Sequence, residues 1–491
     1  MKRKAYLLGV DVGTSSAKAL IMDEDGRTIA SAACGYEIIT PEPGFAEQDA
    51  DMLKNAAFQA IRQAVLQIES AQQIAAVGVT GQMHGLVALG KDDRPLRRVI
   101  IWADQRAKEE SDFLRRSGAE EKTLNPASTG FLLPSLLWVK RHEPDVFANI
   151  RSVMMPKDYI RFCMTGEKGT DLSDASGTLL YNPKLGRWDP ELLAATDISA
   201  AILPQIHASA QVAGSVTARA AQLTGLSAGT PVVYGGGDTP MLLTGNGVVS
   251  EGDLATNIGT ASQINCICSN APAAWKQLNV FHHASEQLWF AAGASLNGGI
   301  VLKWAKDTLL GGSVSFSEMD ELAAQSAPGA KGVVLLPFLC GERAPYLNPT
   351  ARAVLFGMEL STTRADIVRS VMESVVYSFR DCMEVFASLG LKMSDSVVAS
   401  GGGSRSPVWL QMQADILKKR ILVRKEGAEA ARGAAIAAGV GIGLYTGYPE
   451  AARRTAQKTT GVYEPDSRNF AVYDERFETY RSLYTSNKAL F

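Results

Sequence analysis

DVGTSS at residues 11–16 and NIGTAS at residues 257–262 stand half a chain apart in a sequence of 491 residues. Each sits between two apolar runs. AYLLGVDVG (5–13) leads into the first, and ALIMDEDGRTIASAAC (19–34) leaves it with Asp25-Gly26 at a hairpin turn. A second pair follows in the same order. VGVTGQMHG (77–85) and VVASGGGSRS (397–406) are apolar strands that end in glycine-rich turns. One turn of each kind in each half predicts two similar α/β domains, 1–245 and 246–491, flanking a cleft.

The intervening pattern agrees. Residues 49–69 place Leu53, Ala57, Ala60, Ile61, Ala64, Val65 and Ile68 at helical spacing. Strands are expected at 74–80, 99–102, 152–155, 231–234, 254–268, 288–292, 333–336, 396–400 and 421–424. Helical patterns fall at 134–143, 299–310, 364–388 and 407–418. Alternation of this kind implies α/β layers with partly parallel sheets.

Composition narrows the class. Hydrophobic residues make up 46% and charged residues 20%, with a net charge of −2. A disordered or fibrous chain is excluded, and no electrostatic footprint for nucleic acid or an acidic membrane is present. Of the six cysteines, only Cys266 and Cys268 are close, and they share one face of a strand. They read as buried thiols rather than a metal or redox pair. The start, MKRKAYLLGVDVG, is too short in its apolar part for a secretory signal. Gly433–Pro449 is broken by glycines and shorter than a membrane span. The expectation is a reduced, cytoplasmic protein with neither nucleic acid nor membrane as partner.

The turns carry the candidate chemistry. A glycine-threonine turn presents backbone N–H groups and hydroxyls in a concavity that suits phosphate oxygens. Taken singly, each such turn is also a plain strand connection; two of them could grip one polyphosphate from both sides. Asp11, beside Gly13, Thr14 and Ser15 and followed by Lys18, is placed to hold Mg²⁺ through carboxylate, water and phosphate oxygens. Asn257 stands at the equivalent place in the second turn, which points to one metal position. Gly235-Gly236-Gly237-Asp238 follows the strand PVVY and puts a carboxylate at a strand end. There it could take the proton of a hydroxyl that attacks phosphorus, or it could simply cap a turn. GGGSRS (401–406) could let adenine or ribose lie against backbone, and no Walker lysine motif occurs. Trp102-x-Asp104-x-Arg106 reads either as an aromatic wall with a hydroxyl clamp or as a core tryptophan beside an ion pair. His84 reads either as a sugar hydrogen-bonder or as a partner of a buried carbonyl. His282-His283 lacks ligand-spaced partners and reads as structural.

These residues resemble the FGGY carbohydrate kinases over nearly the whole chain, and among them the members that act on xylulose. GVDVGTSSAK (9–18), NIGTAS, GGGD (235–238) and GGGSRS match the family's motifs, as do GQMHG (81–85), LLWVKRHEPDVF (136–147), PKDYIRFCMTGE (156–167) and CGERAPYLNP (340–349). The C-terminal signature, from Ala353 through Gly357-Met358 to Glu373, is similar too. The resemblance implies an actin-like (ribonuclease H-like) fold of two domains closing over ATP and sugar. It implies Asp238 as general base and Asp11 as the acid near Mg²⁺. Met83, His84, Trp102, Asp104 and Asp238 would line the sugar site. Thr14, Ser15, Lys18, Gly259 and Thr260 would surround the phosphates, with Gly402 and Gly403 near adenosine. The implied reaction is ATP-dependent phosphorylation of a primary hydroxyl of a ketopentose, D-xylulose giving D-xylulose 5-phosphate. The alternatives are another ketose, a deoxy-ketose, a polyol or a small signalling sugar, or a non-catalytic sugar sensor. Intact Asp11 and Asp238 argue against the sensor. The expected partners are ATP and a small sugar, with a homodimer left open. An acidic sugar is disfavoured because Asp104 and Asp238 would repel it. NIGTASQ (257–263) differs from the commoner LGTSG of the family, and three single positions also depart from its pattern. Thr239 stands where xylulose-directed members usually carry Asn, Ser135 where a lysine is usual, and Leu132 where a small hydroxyl residue is usual. Met83-His84 replaces the Arg-Glu of glycerol kinases.

Overall fold

Tyr6–Val12 (β1) is apolar and buried along almost its whole length, as a central strand covered on both faces must be. The computed structural model describes residues 5–425 and 427–491; the basic start at residues 1–4 lies outside them. β1 turns at Gly13 into Ser16–Asp23 (β2), which turns into Thr28–Gly35 (β3), and the pairings are antiparallel throughout. Helix Ala50–Val65 (α1), capped by Asp49, lays its apolar side on this meander. The chain returns as Ile74–Gly81 (β4), parallel to β1. Val212–Ser215 (β5) and Pro231–Val233 (β6) complete the order β5-β6-β4-β1-β2-β3. The short strand Gly236–Gly237 (β7) also pairs with β4 and leads into helix Asp238–Gly245 (α2).

The second half repeats this plan. Leu254–Ile258 (β8), Ser262–Cys268 (β9), Asn279–His282 (β10), Trp289–Ser295 (β11), Ser396–Ser400 (β12), Arg420–Arg424 (β13) and Thr459–Tyr463 (β14) form one sheet in the order β10-β11-β9-β8-β12-β13-β14. Antiparallel β8–β9–β11, parallel β8–β12–β13 and antiparallel β13–β14 match β1–β2–β3, β1–β4–β6 and β6–β5 pair for pair. β10 is an added edge strand. The repeat of DVGTSS in NIGTAS is therefore a repeat of topology: a two-domain, actin-like fold. Helices Arg364–Ser388 (α3) and Pro407–Leu417 (α4) bury Val371, Val375, Phe379, Leu410 and Ile416 in the second core.

One helix crosses between the halves. Glu429–Gly441 (α5) follows β13 in the chain but packs on β1, β4 and α2 of the first half. The approach is close enough to require glycine. A Cβ on Gly9 would lie 1.7 Å from the Ala431 carbonyl oxygen, and one on Gly78 would lie 1.9 Å from that of Ala434. The small residues of 433–445 are there for this packing.

Several elements differ from the sequence pattern. The expected strand 254–268 is two strands separated by the Gly259–Ala261 turn. The expected helix 299–310 holds as α-helix only over Gly299–Trp304, then widens into a π-turn at Ala305–Leu309. β5, β10, β14 and the helix Phe470–Asn487 had no clear signal. Among the described residues no helix is long and apolar enough to cross a membrane.

Candidate active site

Strand register gathers the first set of residues. β4 lies between β1 and β7, with Asp11 opposite Thr80, Val12 opposite Gly81, and Gly237 opposite Gly81. The C-terminal ends of three neighbouring strands thus carry Asp11, the Gln82-Met83-His84 run and Asp238. In the second half, β8 and β12 pair Asn257 with Ser400, so the NIGTAS and GGGSRS turns also lie side by side. The Asn257 amide donates to Ser400 Oγ at 3.0 Å.

Gly235 makes the turn that presents Asp238. Its φ is +76°, and a Cβ there would lie 1.7 Å from the Val79 carbonyl oxygen, so only glycine leaves the strand this way. Asp238 is then the first residue of α2, and its Oδ1 accepts the Thr239 N–H at 2.7 Å.

A cavity of about 220 Å³ opens between the two halves. That is roughly seven water volumes, the scale of a small sugar rather than a nucleotide. Met83, His84, Trp102 and Asp238 line it from the first half; Asn257, Gln263, Asn279, Phe281 and Arg343 line it from the second. His84 stacks on Phe131 at 4.1 Å between ring centres. Burial, with some help from the Arg343 charge, pushes its pKa down to about 4 against the opposing Gly177 hydrogen bond. His84 Nδ1 lies 2.7 Å from the Gly177 carbonyl oxygen. A neutral ring must donate from Nδ1 there, which leaves Nε2 as an acceptor for a hydroxyl. The buried-carbonyl reading of His84 is what the structure shows, and the ring nitrogen left over on this cavity-lining residue is an acceptor rather than the expected donor.

Trp102 joins the cavity to the first turn. Its ring lines the cavity while its indole N–H donates to Thr14 Oγ1 at 3.0 Å. A buried amide chain holds the same turn: Gln82 Nε2 donates to Gln48 Oε1 at 2.7 Å, and Gln48 Nε2 donates to the Thr14 carbonyl at 2.6 Å.

Asp104 does not line the cavity. It has no exposed surface, and both its oxygens are taken. Oδ2 accepts the Ala46 N–H at 2.7 Å and Arg106 Nη2 at 2.8 Å, while Oδ1 accepts the Arg106 N–H at 2.9 Å. Arg106 also pairs with Glu47 and lies over Phe45 at 3.8 Å. The expected hydroxyl clamp is instead a buried ion pair that fixes the loop carrying Trp102. Ser135 is likewise buried within helix Leu132–His142 and outside the cavity lining, so its departure does not touch that space. Thr239 does line it.

Other expected residues sit as follows. The Gly13 N–H donates to Ser16 O at 3.1 Å, and the Gly259 N–H donates to Ala261 O at 2.9 Å. Gly259 therefore shapes its turn and does not aim its own N–H at a ligand. Ser15 is exposed in the first turn, Thr260 and Ala261 are exposed in the second, and Thr14 is half-buried. Lys18 is exposed on β2, paired in register with Asp11. Gly402 is exposed and Gly403 buried against Ile258, in the short helix Gly402–Arg405. Cys266 and Cys268 are buried thiols, and buried His282 packs against Trp289 with the two rings tilted by 32°.

The electrostatics centre on two acids. Burial, then the Asp238 charge, pushes Asp11 up to about 7 against the pull of Lys18. Burial pushes Asp238 up to about 6 against the Thr239 hydrogen bonds. Asp11 Oδ1 is buried with no hydrogen-bond partner. An orphaned carboxylate oxygen beside a second acid is a place for a hard cation and suits Mg²⁺. Both folded-state pKa values are raised above 3.8. Their protonation therefore favours the folded state at low pH, and that advantage is lost as pH rises from about 4 toward 7. Without divalent cation, Asp11→Asn is expected to raise the calorimetric unfolding midpoint at pH 7.5 and not at pH 4. An equal change at both pH values would contradict this assignment.

The family models agree with the geometry. Residues 6–245 match the N-terminal domain of the FGGY family of carbohydrate kinases, and residues 254–442 match its C-terminal domain. A xylulose kinase from Staphylococcus epidermidis is 33% identical over 489 residues, covering 99% of this chain and 98% of the relative. An L-xylulose/3-keto-L-gulonate kinase from Escherichia coli is 32% identical over 489 residues, covering 97% and 96%. The crystal structure of a "xyloylose kinase" from Brucella ovis superposes with a TM-score of 0.93 at 31% identity, covering 99% and 100% of the two chains. Two matching domain models in chain order and full-length identity above 30% place the protein: it belongs to the FGGY family of carbohydrate kinases and is an ATP-dependent sugar kinase.

Proposed function

We propose that this kinase phosphorylates the primary C5 hydroxyl of D-xylulose. The observation that carries the reading is the cavity itself, where an Asp238 carboxylate, a neutral His84 acceptor and the Met83 and Phe131 walls surround a space of sugar size. The full-length likeness to xylulose kinases supports the same substrate. The sugar oxygen attacks the γ-phosphorus of ATP while Asp238 takes the hydroxyl proton; the bond to the β-bridging oxygen breaks and ADP leaves. Asp11 would hold Mg²⁺, which when bound neutralises charge on the triphosphate. His84 Nε2 accepts from a sugar hydroxyl, and Arg343 donates to the keto oxygen from the opposite wall. Thr14, Ser15, Lys18 and Thr260 surround the phosphates, with Gly402 and Gly403 beside adenosine. The chain divides between its two sheets near residues 245–246, with α5 as the later segment that returns to the first.

Thr239 sets how tightly the sugar's other end is read. It lines the cavity but spends its N–H, at 2.7 Å, on Asp238. An asparagine there would add an amide donor for a sugar hydroxyl, and a site built to bind a hydroxyl rejects analogues lacking it. The wild-type protein is expected to turn over D-xylulose with little discrimination against 1-deoxy-D-xylulose. Thr239→Asn should raise the ratio of the two kcat/KM values at least several-fold. An unchanged ratio removes Thr239 from specificity; absence of D-xylulose turnover removes the substrate.

Arg343 favours a second reading. The objection to acidic sugars rested on Asp104 and Asp238, but Asp104 is neutralised by Arg106 and a guanidinium lines the cavity. A six-carbon keto-sugar acid could place its carboxylate on Arg343. A kcat/KM for such an acid above that for D-xylulose, lost in Arg343→Met, would select it.

A further inference from the structure

Behind the GGGD turn lies a group of fully buried charges that the reaction does not use. Lys157 Nζ is 2.7 Å from Asp158 Oδ1, 3.0 Å from Asp171 Oδ1 and 3.2 Å from Asp174 Oδ2, and all four side chains have no exposure. Arg161, equally buried, stands 3.5 Å from Asp158 Oδ1. A buried ion cluster is weak evidence for stability, and its use is more often to fix a geometry. Here the geometry can be followed outward. The second oxygen of Asp171, Oδ2, accepts Ser173 N–H at 2.8 Å, Ser173 Oγ–H at 2.6 Å and Ser209 Oγ–H at 2.8 Å. With its proton committed to Asp171, the Ser173 hydroxyl accepts the Gly237 N–H at 3.0 Å. Gly237 is the residue before Asp238 and the cap of α2.

Ser173 belongs to the short helix Leu172–Ser176, which Asp171 caps. The residue after that helix, Gly177, supplies the carbonyl that takes His84 Nδ1 at 2.7 Å. Ser176 Oγ accepts the His282 N–H from the second half at 3.0 Å. One five-residue helix and the glycine after it thus touch the base turn, the cavity-lining histidine and the opposite domain.

We propose that Ser173 is a positioning residue: Asp171 sets its hydroxyl, and the hydroxyl fixes the Gly237 peptide so that Asp238 meets the sugar oxygen. This rests on Asp238 being the base. Misplacing a catalytic group by an ångström can cost on the order of 10²-fold in rate. Ser173→Ala is expected to lower kcat with D-xylulose and ATP by about 10–100-fold, with KM for ATP unchanged within about threefold. Ser209→Ala is the matched control, since it removes a hydrogen bond of similar length to the same Asp171 oxygen and leaves in place the one bond Ser209 makes to the base turn, from Gly235 N–H to its backbone carbonyl at 2.9 Å. It should lower the unfolding midpoint by a similar amount and keep kcat. Because Ser173 acts through Asp238, adding Ser173→Ala to Asp238→Asn should cost nothing further. Equal kcat in Ser173→Ala and Ser209→Ala, or full additivity with Asp238→Asn, would overturn the proposal. If Ser173→Ala does not fold, Ser173→Cys takes its place with the same expectations. If neither folds while Ser209→Ala does, the hydroxyl serves folding and the proposal falls. An Asp238→Asn variant that stays active would instead overturn the base assignment, which separates the two failures.

Discussion

Asp238→Asn is expected to reduce sugar-dependent ADP formation by about 10²–10⁴-fold while sugar and ATP still bind. The amide keeps the shape of the side chain and cannot accept the proton. Asp238 stands at the head of α2 on the cavity wall, and its pKa of about 6 leaves it ionised yet basic near neutral pH. Isothermal titration of D-xylulose and of ATP into the variant, beside a coupled assay of turnover, checks both halves of the statement. Retention of more than a tenth of wild-type turnover would remove Asp238 from the base role. Loss of sugar binding together with activity would make it a binding group instead.

The second large effect is expected at Asp11. Asp11→Ala removes the one buried carboxylate oxygen in the first turn that has no protein partner. If that oxygen holds Mg²⁺ beside the transferring group, kcat should fall by about 10²-fold or more. The Mg²⁺ concentration for half-maximal rate should rise as well. The D-xylulose dissociation constant should change little, because the cavity lining does not include Asp11. A variant that loses sugar affinity and keeps kcat at saturation would show that Asp11 faces the sugar.

How much of this was legible in the sequence depends on how local each signal is. DVGTSS and NIGTAS could be read because a glycine-hydroxyl turn between apolar strands is a pattern of a dozen residues. The matched strand orders then follow from one repeated unit. The position of Asp238 was legible for the same reason, since three glycines mark a strand end and the carboxylate follows them onto the cavity wall. Asp104 was misjudged because the pattern W-x-D-x-R does not reveal where the carboxylate turns. Its partners are Arg106, two residues on, and the Ala46 N–H, far back in the chain. Asn279, Phe281 and Arg343 were missed as cavity residues because long-range pairing brings them there. β10 is an edge strand on β11, and its only sequence marks were a short apolar run and two histidines. Arg343 stood within a stretch already quoted for its resemblance, with nothing to say which way it faced. The small residues of α5 were correctly read as packing. Their counterpart, Gly9 and Gly78 on the opposite half's sheet, could be named only from the structure.

A cleft between two like domains that moves the γ-phosphoryl group of ATP to the primary hydroxyl of a ketopentose at Asp238 is identified by its products. The most direct measurement is ³¹P and ¹³C NMR of the products formed by the purified protein from ATP, Mg²⁺ and D-xylulose. One ADP is expected for each D-xylulose 5-phosphate, with phosphorus coupled to C5, and with Asp238→Asn both should form about 10²-fold or more slowly. No sugar-dependent ADP, or phosphorus on any other carbon, would contradict it.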